Sequence, residues 1–111
     1  MKELTTIEEW NEVVEQSKKE PVFVLKHSTT CPISIHAYAR VEDFETTIPK
    51  YFLKVRESRP VSNEIESALG VVHQSPQFFI LQNGEQVWNA SHTVITETGI
   101  NRALEKNNIE K

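Results

Sequence analysis

The chain has 111 residues, a formal net charge of −4 and a single cysteine. That length suits one domain, 1–111, whose core needs no covalent staples. One thiol excludes an internal disulfide, a Cys-rich zinc site and a CxxC dithiol, and the acidic balance gives no electrostatic basis for binding nucleic acid.

The N-terminal "MKELTTIEEW" is acidic and amphipathic, unlike a secretory signal or a transit peptide. No apolar run approaches the roughly 20 residues needed to span a bilayer. Together these predict a cytoplasmic protein with neither membrane nor nucleic acid among its partners.

Residues 6–19 carry helical periodicity. Thr6 and Glu9 have capping-box spacing, and Ile7, Trp10, Val13 and Val14 mark one apolar face. Pro21 ends that segment. The nearly continuous apolar run "VFVLK" at 22–26 predicts a strand buried on both faces.

From Pro32 the period changes, with Ala37, Tyr38, Val41 and Phe44 at helical spacing and Pro32 suited to a first turn. Cys31 therefore sits where strand hands over to helix. "KYFLKVR" at 50–56 alternates as a strand does. "PVSNEIESALG" predicts a helix of about two turns, with Ile65, Ala68 and Leu69 inward and Gly70 as its stop.

"QFFILQ" and "EQVWNA" flank Asn83-Gly84, the strongest short-range hairpin signal in the chain. Residues 94–107 predict a last helix with Ile100, Ala103 and Leu104 inward, Gly99 being unfavourable within it. The order α, β, α, β, α, β, β, α implies an α/β fold. Its first two strands are parallel through a right-handed crossover and its last two antiparallel, in a central mixed sheet of about four strands with helices on both faces.

A free cysteine is more often a small buried hydrophobe than a reagent. The position of Cys31 tips that balance. A thiol at a helix start faces unpaired backbone N–H groups and the positive end of the macrodipole, and both favour thiolate over thiol. The carboxyl end of a strand in an open α/β sheet is also where ligands gain access. Ser34, one helical turn on, is placed to donate a hydrogen bond to the Cys31 sulfur, or simply to cap the first turn. Ser75-Pro76 precedes a strand, and the dipeptide alone leaves the isomer of its bond open.

The strand, the helix-start cysteine followed by proline, and the proline entering a hairpin strand resemble the thioredoxin fold over nearly the whole chain. More narrowly, "TCPIS" at Thr30, Cys31, Pro32, Ile33 and Ser34 resembles the active site of monothiol bacilliredoxins of the C type. The resemblance implies removal of bacillithiol from protein mixed disulfides, with Cys31 as nucleophile and Ser34 as the thiolate's hydrogen-bond donor. A second bacillithiol then acts as co-substrate and releases bacillithiol disulfide, which a separate flavin-dependent reductase recycles. No bound cofactor and no metal are implied, and the partners are bacillithiolated client proteins and bacillithiol itself. The resemblance also makes Ser75 and Pro76 the substrate-backbone contact and places Thr30, Pro32 and Ile33 beside the substrate, with Ile33 exposed and apolar.

Bacillithiol carries malate carboxylates, and anions favour helix N-termini or cations. Lys26 and the turn Ser91, His92, Thr93 are candidate anchors by that analogy, although a solvated surface role suits each as well. His27, His36, His73 and His92 show no metal-ligand spacing, and His27 is the better placed of them to tune the thiol.

Three competing readings follow. An arsenate-reductase-like site wants an arginine six residues after the cysteine, where Ala37 stands. An iron–sulfur carrier resembling monothiol glutaredoxins wants glycine and phenylalanine where Pro32 and Ile33 stand. A non-catalytic thioredoxin-fold adaptor remains the alternative from another functional class.

Overall fold

The computed structural model describes residues 1–111 as a five-stranded mixed sheet with helices on both faces. In chain order the elements are β1 (Lys2–Glu3), α1 (Ile7–Gln16), β2 (Val22–His27), α2 (Pro32–Asp43) and β3 (Lys50–Lys54). They continue as α3 (Arg59–Leu69), β4 (Gln77–Gln82), β5 (Glu85–Ser91), a 3₁₀ turn at His92–Val94, and α4 (Glu97–Lys106). The sheet order is β1-β3-β2-β4-β5. β1 and β2 lie parallel to β3, while β4 is antiparallel to both β2 and β5.

The capping box forms as the spacing predicts: Glu9 N–H donates to Thr6 Oγ1 at 3.1 Å, and Thr6 N–H donates to Glu9 Oε1 at 3.2 Å. Every residue of β2 is buried because both of its faces are covered. Phe23 and Leu25 pack with Ala37, Val41, Ile100 and Leu104 on the α2/α4 face. Val22 and Val24 pack with Trp10, Val13, Val61 and Ile65 on the α1/α3 face. The Asn83-Gly84 hairpin turns with positive φ at both residues, 57° and 79°, which is the primed turn that matches strand twist.

Several expectations need correction. The sheet gains a fifth strand, because Lys2 and Glu3 pair with Tyr51 and Phe52. A two-residue strand has no periodicity to read, and only the exposed edge of β3 creates it. Helix α3 begins a residue earlier and runs 11 residues, with Val61, Ser62 and Ile65 buried, whereas Ala68 is exposed. Ile7 is likewise exposed, since it occupies the first turn of α1, beyond the edge of the core. The last segment splits: residues 92–94 form the 3₁₀ turn, and Thr96 caps a helix that starts only at Glu97.

Candidate active site

Cys31 is the N-cap of α2 and Pro32 its first helical residue. The connection from β2 is short and held by the backbone: Cys31 N–H donates to Ser28 O at 3.2 Å, and Ile35 N–H donates to Cys31 O at 2.9 Å. No side-chain cap occupies the orphan N–H groups of the first turn. The thiol is half-buried and free, and Thr30, Pro32 and Ile33 around it are exposed, Ile33 at 42 %.

Ser34 turns inward and is fully buried. Its Oγ lies 2.8 Å from His27 Nδ1 and accepts the Ser28 N–H at 2.8 Å. The expected bond from Ser34 to Cys31 is therefore not what the hydroxyl is engaged in; its partners are the last residue of β2 and the first residue of the loop that follows. The reason is local. His27 is the last residue of β2 and points to the α2/α4 side, directly under the first turn of α2. Burial and the nearby Lys54 charge hold the His27 pKa below its ordinary value, against a smaller upward pull from Glu57. Tyr38, one turn further along α2, lies against the imidazole with ring centroids 4.8 Å apart, and burial pushes its phenol pKa up.

A neutral His27 has two tautomers, with different consequences for Ser34. With Nδ1 protonated, the imidazole donates, and the serine proton is free to turn toward the N-cap. With Nδ1 bare, the serine donates to it. In both cases the Ser28 N–H is satisfied, so Ser34 ties the loop carrying the thiol to its helix.

Ser75-Pro76 is a cis peptide, and it opens β4. The carbonyl of Pro76 accepts the His92 N–H at 3.0 Å, which fastens the 3₁₀ turn to this bend. Ser75 Oγ is the one buried side-chain polar atom without a hydrogen-bond partner. Val72, ahead of the bend, and Val94, at the end of the 3₁₀ turn, expose 73 % and 62 % of their surface.

Lys26 is no surface anchor. It faces the α1/α3 side, fully buried, where Nζ donates to Ser62 O at 3.0 Å and approaches His73 Nδ1 at 3.1 Å. Desolvation brings its pKa down to about 8 despite the Glu66 charge. The same burial, together with the Lys26 charge, depresses His73. His73 is thus tied to Lys26, while His36 is exposed on α2. Of the proposed anchoring turn, Thr93 is exposed and Ser91 and His92 are half-buried. No group of three or more His, Cys, Asp and Glu side chains is placed to hold a metal ion, and no helix is long and apolar enough to cross a membrane.

A free half-buried thiol capping a helix, with a cis-proline bend opening the neighbouring hairpin, belongs to a family recognisable on independent grounds. Residues 2–100 match the family described as monothiol bacilliredoxin BrxC. The chain belongs to the monothiol bacilliredoxin family. A solved structure described as a thioredoxin fold, and provisionally as an oxidoreductase, is 40% identical to it. That likeness has a TM-score of 0.86 and covers 92% of this chain and 91% of the other. Thioredoxin from Fasciola hepatica superposes with a TM-score of 0.76 at 16% identity, covering 96% of this chain and 98% of that one. Mitochondrial thioredoxin 3 from Saccharomyces cerevisiae gives 0.75 at 15% identity, covering 96% and 94%. At such identities the two thioredoxins speak for the fold alone.

For a bacilliredoxin-family chain, the site is thus that of a thioredoxin-type oxidoreductase with one thiol. Sequence reasoning singled out Cys31 and the bend at Pro76, but missed the His27–Ser34 contact and the Lys26–His73 pair. The available signal was a Lys-His pair ending an otherwise apolar strand, two polar residues that burial forces to find partners.

Proposed function

We propose that this protein removes bacillithiol from client proteins by thiol–disulfide exchange at Cys31. The observation that carries this reading is the placement of the one thiol. It caps α2, is partly open to solvent, and has no second thiol in the chain to close upon it. Such a site can accept a small thiol but cannot resolve a disulfide internally, and Ser34 has no sulfur to do so.

In the first step the Cys31 thiolate attacks the bacillithiol sulfur of the client disulfide. A Cys31–bacillithiol disulfide forms, the client–bacillithiol bond breaks, and the client sulfur leaves with the electron pair and takes a proton from solvent. In the second step a bacillithiol thiolate attacks the bacillithiol sulfur held on Cys31. Bacillithiol disulfide leaves, and the Cys31 thiolate is regenerated. Electrons balance: the client cysteine returns to its thiol, and one free bacillithiol is consumed.

Thr30, Pro32 and Ile33 line the approach to the sulfur, and the backbone at Ser75 and Pro76 offers the client a strand-like edge. The test is incubation of the protein with a bacillithiolated client, followed by mass spectrometry. The expected result is a bacillithiol adduct on Cys31 and a demodified client. A client that keeps its modification, with no mass added at Cys31, would point to an adaptor instead.

A further inference from the structure

β2 and β3 run parallel, and His27 pairs with Lys54 at their carboxyl ends, where Val55 N–H donates to His27 O at 2.9 Å. The two loops that leave these strands therefore diverge side by side. Between them lies a cleft of about 200 Å³ lined by Ser28, Thr29, Thr30, Arg56 and Glu57. The crevice beyond the carboxyl ends of parallel strands is the general ligand position in open α/β sheets. Here it abuts Thr30, the residue bonded to Cys31.

The lining is wholly polar and carries one charge of each sign. The chain's two salt bridges are Lys18–Glu15 and Lys54–Glu3, so the Arg56 guanidinium and the Glu57 carboxylate have no ion-pair partner. The larger cleft, about 530 Å³ between Arg40, Phe44 and Glu97, lies at the opposite end of α2 from the thiol. The small cleft has room for the charged end of a small molecule. Its paired charges suit a ligand with both carboxylate and ammonium groups better than a bare polyanion.

We propose that this cleft receives the small-thiol half of the mixed disulfide, with Arg56 holding a carboxylate, and so directs Cys31 to the small thiol's sulfur. The inference rests on the exchange reaction proposed above and adds the residue that sets its direction. A mixed disulfide offers two sulfurs. Attack on the small thiol's sulfur frees the client, whereas attack on the client's sulfur expels the small thiol and leaves a client–Cys31 disulfide. Anchoring the small half beside Thr30 brings its sulfur, rather than the client's, to the N-cap of α2.

The experiment compares the wild-type protein with Arg56→Gln on a bacillithiolated client, separating the two Cys31 adducts by mass. Arg56 is exposed, so the variant folds as the parent does. The variant is expected to transfer bacillithiol about fivefold more slowly, the range of one exposed ion pair, and to form a larger share of client–Cys31 disulfide. Alkylation of Cys31 by neutral iodoacetamide should stay within about twofold of wild type, which separates anchoring from a damaged thiol. Equal rates and equal product shares in the two proteins would overturn the proposal. An NMR titration of the wild-type protein with S-methylbacillithiol, which cannot exchange, reads the cleft independently of the chemistry. Shifts at Thr29, Thr30 and Arg56 without any transfer activity would keep the cleft as a binding site and discard the exchange reaction. Active transfer with shifts confined to other residues would do the reverse.

Discussion

Ser34 Oγ stands 2.8 Å from His27 Nδ1 and takes the Ser28 N–H at the same distance, so one buried hydroxyl joins the end of β2, the loop and the first turn of α2. Removing it leaves a half-buried donor and a buried ring nitrogen unpaired. Ser34→Ala is expected to lower unfolding stability by about 1–3 kcal/mol, seen as a drop in the urea midpoint. Exchange activity should slow without vanishing, because the nucleophile remains. Cys31→Ser should abolish exchange while leaving stability nearly unchanged. Complete loss of exchange in both variants would give Ser34 a direct part in the chemistry.

The imidazole of His27 makes the same region sensitive to acid. Its folded pKa lies below the ordinary 6.5, chiefly from burial, so the unfolded chain binds its proton first as pH falls. The stability it contributes is fully present above pH 6.5 and is lost as pH drops through the folded pKa. Lys54 deepens this effect and Glu57 opposes it. His27→Gln removes the titration, so its stability deficit relative to wild type should shrink between pH 7 and pH 5. Urea unfolding at both pH values checks this, and a constant deficit would contradict it.

Lys26 acts at the other end of the pH scale. Burial lowers its pKa from 10.5 to about 8, so between those values the unfolded chain holds a proton that the folded chain has shed. Stability from this group is complete above pH 10.5 and is lost as pH falls through 8. Lys26→Met fills the same space without a charge. Wild type should therefore gain on the methionine variant as pH rises from 7 to 9.5, measured by urea midpoints. A gap independent of pH would show that the ammonium is better satisfied by Ser62 and His73 than its burial implies.

Gly99 stands in the first turn of α4, where a Cβ would meet Thr96 Oγ1 at 3.1 Å, Trp88 Cη2 at 3.3 Å and Val94 O at 3.4 Å. Thr96 Oγ1 is already fixed as the acceptor of the Gly99 N–H at 3.0 Å. Replacing a helical glycine with alanine ordinarily gains up to about 1 kcal/mol. Here crowding outweighs that gain, and Gly99→Ala is expected to destabilise by about 1 kcal/mol. Thermal unfolding followed by Trp fluorescence measures the loss.

Hydrophobic period and turn chemistry were enough, by themselves, to specify eight of the elements here. The buried run at 22–26, the capping box at Thr6 and the Asn83-Gly84 turn are local signals, and local signals survive in any correct tertiary context. They also placed Cys31 at a helix start, which depends only on where period two gives way to period 3.6. The residues TCPIS added the family, since a short motif at a fixed junction is legible without coordinates.

Contacts between distant segments were not legible. β1 exists because β3 has a free edge, and Gly99 is tolerated because Trp88 comes over it from another element. Above all, which face of β2 each residue presents decided the fate of two adjacent polar side chains. Lys26 went to His73 and Ser62, and His27 went to Ser34. A strand alternates its side chains but does not say what will cover each side; only the packed helices supply those partners.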